Sequence, residues 1–421
     1  MNTSGLSTNA TPESASPDVR LRGVRIAILV QNLPVPFDRR VWQEATTLRR
    51  AGADVTVVCP DDDKHPAGHF EIDGVHVRRY RAPREAAGVL GYVNEYGFSL
   101  SRMRKEFGAA RRDGAFDIVH FCNPPDLLYK IAKPAKKRDG SVLVFDQHDL
   151  GPELVDAKSM PLKRLFRAVA AHFEKRTYRW ADHVVSTNES YRSIAMSRGG
   201  FVDGEVTVIR SGPSRGWADD VVSDEKWRQG REYLLGYVGV MGRQEGIEYL
   251  IDAVEILVRE SKLDVQAALV GSGPDRDRLE ALVRNKGLGA HIGFHGRLSD
   301  ADLKSVLSTA DVCVNPDEVN PMNDLSTMNK IIEYAALGRP IVQFDVREGR
   351  ISAADASLYA DTDNDARSFA VAIEKLLVAP DLREEMGDRA RERFVNELCW
   401  ESQEERLVAT YARLAGQRAR G

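Results

Sequence analysis

The chain of 421 residues contains few cysteines, and no two of them are close in sequence. Cys59, Cys122, Cys313 and Cys399 form no CxxC pair, and no cluster of histidines lies beside them. This spacing disfavours a disulfide framework, and it also disfavours a zinc site. We therefore expect a protein of a reducing compartment, namely the cytoplasm.

The sequence also lacks a long apolar run and an excess of positive charge. No apolar run is long enough to span a bilayer. The formal net charge of −4 argues against a dedicated nucleic-acid binder, so we expect no nucleic-acid partner. The first residues, MNTSGLSTNATPESASPD, are rich in Ser, Thr, Asn and Pro and have no hydrophobic h-region. We interpret residues 1–22 as a disordered tail and not as a signal peptide.

A glycine-rich dinucleotide motif is missing from the first strand–helix turn. The apolar stretch GVRIAILV at residues 23–30 has the pattern of a buried parallel strand. A helix and a second strand follow it, so the chain opens with a Rossmann-like unit. The turn QNLPVPFD contains no GxGxxG. Because those glycines let the backbone approach a pyrophosphate, their absence argues against an NAD-dependent dehydrogenase.

The alternation of strands and helices continues along the chain and predicts two domains. Residues 213–232 are polar and have no regular apolar period, and the alternation restarts after them. We predict an α/β protein with a Rossmann-like domain at 23–212, a linker at 213–232 and a second Rossmann-like domain at 233–398. The remaining residues, 399–421, are predicted to form a C-terminal helix.

A histidine and an aspartate end one of the predicted parallel strands. SVLVFDQHD places His148 and Asp149 at the carboxyl end of a buried strand in the first domain. Open α/β sheets bind their ligands at this edge. We therefore favour a site role for His148 over a purely structural hydrogen bond.

The stretch LSTMNKIIEYAALGRPIV at residues 325–342 reads as a short helix, a turn and a buried strand. Ser326 or Thr327 is predicted to cap the helix. Lys330 and Glu333 lie three residues apart and share a helix face. A helix start with a lysine and a carboxylate nearby suits a phosphate joined to a ribose. The alternative is a surface Lys–Glu pair on an ordinary helix.

The segment PLKRLFRAVAAHFEKRTYRW at residues 161–180 is predicted to be an amphipathic helix. Its apolar stripe would contain Leu162, Leu165, Phe166, Val169 and Phe173. Its polar face is heavily basic, with Lys163, Arg164, Arg167, Lys175, Arg176 and Arg179. We favour a helix packed on the core with a solvated basic face. The alternative is peripheral contact with the anionic inner membrane surface.

The order and spacing of several motifs resemble the family 4 glycosyltransferases. These are retaining nucleotide-sugar enzymes with the GT-B fold, in which two Rossmann-like domains face a cleft. In the second half the matching pieces are YVGVMGRQEGIEYLIDA, LVGSGPDRDRLEAL, FHGRL, ADVCVNP and NKIIEYAALGRPIV. In the first half they are PFDRRVWQEATTLRRAGADVTVVCP and DQHDLGPEL. The resemblance spans nearly the whole chain after the tail. It also implies that helix 399–421 packs back on the first domain.

The resemblance assigns roles to particular residues. Glu333 matches the carboxylate that accepts hydrogen bonds from the ribose hydroxyls, and His148 matches the histidine near the transferred sugar. Asp149 is a weaker candidate for orienting His148 or the acceptor. The other predicted contacts to the nucleotide-sugar donor fall in four segments. We call the first the diphosphate loop, with Gly239, Met241, Gly242 and Arg243, and the second the base loop, with Gly271, Gly273 and Pro274. The third is Arg297, and the fourth is the set of backbone N–H groups of 323–327, including Asn323, Ser326 and Thr327.

The chain departs from the family pattern where positive charge is needed. Glutamates usually lie eight positions apart here, but the position eight residues before Glu333 is Leu325. The usual Arg and Lys of the diphosphate loop align with Val240 and Glu245. A leaving diphosphate still needs positive charge, so Lys330 is our first candidate for this role and Arg243 our second. A partner subunit that has lost its transferase activity is the alternative.

The resemblance implies a hexosyltransferase-type reaction. A sugar would pass from a nucleotide-sugar, for which we expect UDP, to a hydroxyl of a saccharide, lipid-linked or small-molecule acceptor, with retention. It implies no metal and no cofactor. The sequence offers no DxD pair placed to hold a metal at the donor site, and we interpret DDD at 61–63 as a solvated acidic turn. A GT-B sugar-nucleotide 2-epimerase is a further alternative, because it shares the fold and the nucleotide site.

Overall fold

Two separate β-sheets organise the chain, one in each half. The computed structural model describes residues 19–83, 89–157, 162–361 and 363–418, and the side chains of 89–95 are not part of this description. The predicted pair of Rossmann-like α/β domains is confirmed, because each sheet is mostly parallel and carries helices between its strands.

The first sheet contains eight strands. They are β1 Arg25–Leu29, β2 Asp54–Pro60, β3 Gly68–Ile72, β4 Val75–Tyr80, β5 Ile118–Cys122, β6 Val142–Gln147, β7 His183–Ser186 and β8 Val206–Val208. Their order across the sheet is β3-β4-β2-β1-β5-β6-β7-β8. The helices of this domain are α1 Arg39–Arg50, α2 Val89–Arg112, α3 Tyr129–Asp139, α4 Gly151–Ala157, α5 Lys163–Trp180 and α6 Glu189–Gly199.

The second sheet contains six strands. They are β9 Tyr233–Val238, β10 Val265–Val270, β11 Ile292–Gly296, β12 Val312–Asn315, β13 Ile341–Phe344 and β14 Ser357–Ala360, in the order β11-β10-β9-β12-β13-β14. All five strand pairings are parallel. The helices are α7 Ile247–Arg259, α8 Arg276–Asn285, α9 Asp300–Thr309, α10 Asn329–Ala336, α11 Arg347–Ala353, α12 Ala366–Leu377, α13 Pro380–Arg393 and α14 Glu401–Arg418.

Strand β3 was not predicted, and it is the antiparallel member of the first sheet. It pairs with β4 through a two-residue turn at Asp73 and Gly74, both of which have positive φ. Its central residues are exposed. Its sequence GHFEI alternates polar and apolar residues over four positions, which is the shortest run that indicates a strand, and the prediction missed it.

The last helix returns to the first domain. Trp400, Leu407, Val408, Tyr411 and Leu414 belong to the same buried cluster as β1, β2 and α1. The indole Nε1 of Trp400 donates to Thr47 Oγ1 at 3.0 Å. This burial places α14 on the domain that begins the chain, although it follows the second domain in sequence.

The first domain begins earlier than we predicted. Residues 1–18 of the predicted tail lie outside the described residues. Leu21, however, is fully buried, and its backbone N–H donates to the carbonyl of Ala51 at 3.0 Å. Burial of this leucine against α1 and β2 attaches residues 19–22 to the first domain.

The start of α10 differs from the prediction. The helix begins at Asn329, and Met328 precedes it without a side-chain cap. The predicted caps are engaged elsewhere. Ser326 Oγ donates to the carbonyl of Met322 at 2.8 Å, and Thr327 Oγ1 accepts from Asn188 of the first domain at 3.0 Å.

The favoured interpretation of α5 is wrong for three of its apolar residues. Leu162, Leu165 and Val169 are exposed, and the buried residues of α5 are Glu174, Thr177 and Tyr178. The helix therefore packs through its C-terminal half. Among the residues that the structure describes, none of the helices is both long and apolar enough to cross a membrane.

Candidate active site

The first-domain half of the site is built at the carboxyl end of β6. His148 follows this strand, and its backbone N–H donates to Asn123 Oδ1 at 2.8 Å. Its Nε2 hydrogen-bonds to Asp146 Oδ2. Asp146 is fully buried and receives both arms of the Arg40 guanidinium, at 3.0 Å and 2.7 Å. Because Nε2 is held by the buried carboxylate, Nδ1 of His148 is the nitrogen left for a ligand.

Charges around Asp146 keep it ionised. Burial alone would raise the pKa of Asp146, but Arg40 and then His148 lower it well below its usual range. Arg40 also lies 3.1 Å from Glu44, which has no exposed surface. Burial and the nearby Asp146 raise the pKa of Glu44, against the opposing effect of Arg40. One buried arginine thus lies between two buried carboxylates, and only Asp146 holds the histidine.

Asp146 also belongs to a second set of buried polar side chains. The ligand atoms of His120, Cys122 and Asp146 lie within 4.8 Å of one another. His120 Nδ1 hydrogen-bonds to the hydroxyl of Tyr411 on α14 at 2.5 Å. Since the Arg40 guanidinium already holds both oxygens of Asp146, we assign this set to internal hydrogen bonding. It connects the returning helix to the strand that carries His148.

The second-domain half is built from glycine loops at the carboxyl ends of β9, β10 and β11. A Cβ on Gly271, which has φ of 131°, would lie 1.9 Å from the carbonyl oxygen of Gly239. A Cβ on Gly273 would lie 2.4 Å from the carbonyl oxygen of Met241. Backbone hydrogen bonds join Met241 to Ser272 and Gly271 to Gly296. Only glycines allow the predicted diphosphate and base loops to pack this closely. The predicted Gly242 and Pro274 lie in the same two loops.

Lys330, on α10, lies close to the predicted diphosphate loop. Its Nζ lies 3.4 Å from the position that a Cβ on Gly239 would take. The ammonium donates to Glu245 Oε2 at 2.7 Å and to Asp317 Oδ1 at 2.9 Å, and it lies 5.0 Å from the ring centre of Tyr237. Burial would lower the pKa of Lys330, but these neighbours, Asp317 first, raise it well above its usual value. The predicted diphosphate lysine is charged, and two carboxylates already balance that charge.

Glu333 faces the first domain. Arg39, at the start of α1, has one guanidinium nitrogen 3.5 Å from Glu333 Oε1 and donates with another to Asp300 at 2.9 Å. Burial raises the pKa of Glu333 to about 7, Arg39 opposes this shift, and Asp300 adds to it. The predicted ribose carboxylate is therefore in contact with an arginine across the cleft.

Further hydrogen bonds join the two domains near the loop that precedes α10. Asn188 caps α6, and its Nδ2 donates to the carbonyl of Leu325 at 2.9 Å and to Thr327 Oγ1 at 3.0 Å. The hydroxyl of Tyr191 lies 3.2 Å from Ser326 Oγ. These contacts hold the loop against the first domain.

A small cavity between the domains brings predicted residues of both halves together. It is lined by Asp149, Leu150, Leu154, Tyr191, Met322 and Ser326. A larger cavity of about 630 Å³ lies at the opposite end of α10, around Leu337 and Gly338. Of the predicted residues, Asp149 and Ser326 line the small interdomain cavity of about 10 Å³, and neither Lys330 nor Glu333 lines either cavity.

The predicted backbone donors of 323–327 are mostly engaged. The N–H groups of residues 323–326 all donate to acceptors within residues 320–323. Asn323 is buried, and its side chain donates to the carbonyl of Gln244 at 3.0 Å. It therefore ties this loop to the diphosphate loop. Arg243 and Arg297 are exposed, Arg243 at 82%, so either can reach a ligand in the cleft.

Several residues of this arrangement were not predicted. Asp146 could have been found, because it lies two positions before His148 on a strand and so faces the same side. Arg39 and Arg40 lie in the quoted motif PFDRR, but no local signal distinguishes the exposed arginine from the buried one. Asp317 and Asn188 meet their partners only through the tertiary fold.

Two doubly wound domains that meet at the carboxyl ends of their strands, with a last helix returning to the first, define the GT-B architecture. Solved structures share it. Sucrose-phosphate synthase from Thermosynechococcus elongatus aligns with a TM-score of 0.77 at 21% identity, covering 94% of this chain and 100% of that chain. Anabaena HepE in complex with UDP aligns with a TM-score of 0.68 at 15% identity, covering 93% and 100%.

Sequence comparisons identify the family. Residues 38–212 match the description "Glycosyl transferase 4-like domain", and residues 232–378 match "Glycosyl transferases group 1". Alpha-D-kanosaminyltransferase from Streptomyces kanamyceticus is 30% identical over 158 residues, which is 37% of this chain and 39% of that protein. Alpha-maltose-1-phosphate synthase from Mycolicibacterium smegmatis is 24% identical over 291 residues, 63% and 73% of the two chains. The chain belongs to the GT4-type glycosyltransferases with the GT-B fold.

Proposed function

We propose that this chain transfers a hexose-type sugar from a nucleotide-sugar to an acceptor hydroxyl with retention of configuration. The observation that carries the proposal is the meeting of two sets of groups at one cleft. His148, held by Asp146, comes from the first domain, and the glycine loops with Glu333 come from the second. Arg39 connects the two sides by its contacts with Glu333 and Asp300.

The second domain is proposed to hold the nucleotide. An ionised Glu333 can accept hydrogen bonds from both ribose hydroxyls. The backbone of the Gly239 and Gly271 loops has no side chain to keep a diphosphate away. The start of α10 has no side-chain cap, so its N–H groups and the positive end of the helix dipole are directed to the same place. UDP is our proposed nucleotide, and the HepE structure with UDP on the same fold supports it.

Charge stabilisation of the leaving diphosphate is proposed to come from Arg243 together with Lys330. Arg243 is exposed, and its nearest carboxylate oxygen, on Asp275, is 3.9 Å away. Lys330 is balanced by Glu245 and Asp317 in this structure. We infer that Arg243 contacts the diphosphate directly. Lys330 would hold the diphosphate loop in place through its hydrogen bond to Glu245.

The first domain is proposed to hold the transferred sugar and the acceptor. With Nε2 donating to Asp146, His148 presents Nδ1 as an acceptor for a sugar hydroxyl. Asp149 lines the interdomain cavity and is the proposed contact for the acceptor. The departing phosphate would accept the proton of the acceptor hydroxyl, so no metal and no cofactor is needed in this proposal. We place the enzyme in the cytoplasm, with peripheral contact on the inner membrane face.

A thermal-shift titration tests the donor site. UDP, GDP, ADP, dTDP and NAD are titrated against the wild type and the variants Glu333→Ala, Arg243→Ala and Lys330→Ala. One nucleoside diphosphate should stabilise the wild type selectively. At about 100 times its dissociation constant it should add about 2.7 kcal/mol, and Glu333→Ala should abolish the effect. Stabilisation by NAD alone would overturn the proposal.

One observation favours a second candidate, a partner subunit without transferase activity. The lysine that we expect at the diphosphate is balanced by two carboxylates, and Val240 stands where the family has a basic residue. Such a subunit would show no stabilisation by any nucleoside diphosphate. A sugar-nucleotide epimerase would bind the nucleotide but would turn over its substrate when no acceptor is added.

A further inference from the structure

The start of α5 and the residue before it expose apolar side chains that none of the described residues covers. Leu162 is 70% exposed, Leu165 57% and Val169 43%. Leu162 directly precedes the helix, and the spacing of four residues places Leu165 and Val169 on one side of it. The same side continues through His172 to Arg176. The helix packs on its domain through the opposite side, where Glu174, Thr177 and Tyr178 are buried.

Positive charge is concentrated around these apolar side chains. Helix α5 carries six Lys and Arg and a single acid, Glu174, which is paired with Arg198. Four of these basic residues are exposed and have no carboxylate within 4 Å among the residues that the structure describes: Arg164, Lys175, Arg176 and Arg179. The chain as a whole has a net charge of −4, so this concentration is local.

Helix α3 extends the basic surface. It carries five Lys and Arg and one acid, Asp139, which is paired with Arg111. Lys130 lies 5.1 Å from the ring centre of Phe173, and Lys133 lies 4.3 Å from that of Trp180. These contacts fix α3 beside α5, and they place lysines along the flank of the exposed stripe.

We propose that this surface docks on a bilayer that contains anionic lipids. The α5 face is defined by Leu162, Leu165 and Val169 with the basic residues Arg164, Lys175, Arg176 and Arg179. An apolar stripe with basic residues on both sides is the pattern of a helix that lies in the lipid headgroup region. Nucleic acid would explain the charge but not the exposed leucines. The charge complementarity therefore selects an anionic lipid surface as the occupant.

Docking there brings the cleft close to the lipid. Helix α5 follows α4, and α4 follows the loop with His148 and Asp149. The cavity residues Leu150 and Leu154 lie on this same connection. A lipid-linked acceptor would then reach the first-domain side of the cleft without leaving the membrane surface. The docking itself does not depend on the proposed transfer reaction.

Vesicle co-sedimentation with the full chain tests the proposal. The vesicles are phosphatidylcholine alone or phosphatidylcholine mixed with phosphatidylglycerol. Partitioning onto the mixed vesicles should be at least about tenfold stronger, and about 0.5 M salt should largely reverse it. Leu165→Gln/Val169→Gln and Lys175→Gln/Arg176→Gln should each reduce partitioning about tenfold. Val371→Gln is the matched control, because Val371 is 60% exposed on α12 of the other domain, and it should partition like the wild type.

Two outcomes would overturn the proposal. One is binding to the mixed vesicles that is equal in the α5 variants and the wild type. The other is no binding, with a dimer in solution that the α5 variants convert to a monomer, since a second copy of the chain would then cover the face. Nucleotide-induced stabilisation of the variants, measured in parallel, shows that they are folded and keeps failure of docking separate from failure of the donor site.

Discussion

Each domain places one buried cation between two carboxylates, and the two arrangements differ in how the cation binds those carboxylates. In the first domain Arg40 lies 2.7 Å from Asp146 and 3.1 Å from Glu44. In the second domain Lys330 lies 2.7 Å from Glu245 and 2.9 Å from Asp317. Arginine binds both oxygens of Asp146, so His148 is held by a carboxylate that is already fixed. Lysine makes one hydrogen bond to each carboxylate. Unused carboxylate oxygens occur in both halves, since Asp317 Oδ2 and both oxygens of Glu44 have no hydrogen-bond partner among the described residues.

The difference indicates which half of the cleft is fixed before a ligand arrives. A planar guanidinium with two parallel hydrogen bonds holds one geometry. An ammonium on a flexible side chain can rotate and exchange partners. We expect the histidine side to be rigid and the lysine side to rearrange when a diphosphate approaches.

The largest effect is expected from removing the buried arginine. Arg40→Met leaves Asp146 and Glu44 buried without their cation, so unfolding free energy should fall by about 3–5 kcal/mol. Denaturant unfolding followed by circular dichroism measures this. Arg39→Met is the matched control. Arg39 is the neighbour of Arg40 in sequence, but its side chain is 58% exposed, so this variant should change the free energy of unfolding by less than about 1 kcal/mol. Equal losses in the two variants would contradict the fixed role of Arg40.

The corresponding change in the second domain should cost less and depend on pH. Burial raises the pKa of Asp317, and the carboxylate of Glu245 raises it further. Without Lys330, which lowers the pKa of Asp317, this carboxyl takes up a proton more readily in the folded state than in the unfolded chain. Lys330→Met should therefore lose about 2–3 kcal/mol at pH 7 and less at lower pH. Unfolding at pH 6, 7 and 8 measures the trend. A pH-independent loss would contradict the protonation of Asp317 in the variant.

Glu333, the proposed ribose carboxylate, should give a smaller effect that depends on its titration. The pKa of Glu333 is raised to about 7, first by burial. In the free protein its ionisation therefore lowers stability as pH rises from its ordinary pKa of 4.5 to about 7. The ionised form is the one that accepts both ribose hydroxyls, so nucleotide affinity should fall up to about tenfold from pH 8 to pH 6. Isothermal titration calorimetry measures it. Glu333→Gln should bind more weakly and without this pH dependence, and an unchanged slope in that variant would assign the titration elsewhere.

The sequence predicted the fold more completely than it predicted the buried charged residues compared above. Apolar runs at strand spacing and amphipathic helices identified both domains, because burial of a sheet between helices imposes that pattern locally. His148 and Glu333 were predicted as site residues because they lie at the ends of elements inside recognisable motifs, and their roles stay predictions. Asp317 and Arg40 were not found, because their roles depend on partners 13 and 106 residues away in sequence. The exposed stripe of α5 has the same pattern as a buried one, and only the fold shows that no part of the described chain covers it.

The smallest expected effect comes from the residue that joins the two halves. Arg39 contacts Glu333 and Asp300 across the cleft, at 3.5 Å and 2.9 Å. A ribose that binds Glu333 must replace the first contact, so Arg39→Met should strengthen nucleotide binding about two- to threefold, as suits an exposed ion pair. Calorimetry at pH 8.5 is required, because loss of the arginine also raises the pKa of Glu333. Asp300→Asn is the control, since it leaves the Arg39–Glu333 contact in place and should not strengthen binding. If Arg39→Met instead weakens binding, the arginine contacts the nucleotide itself, and the first domain then supplies part of the charge that Lys330 cannot.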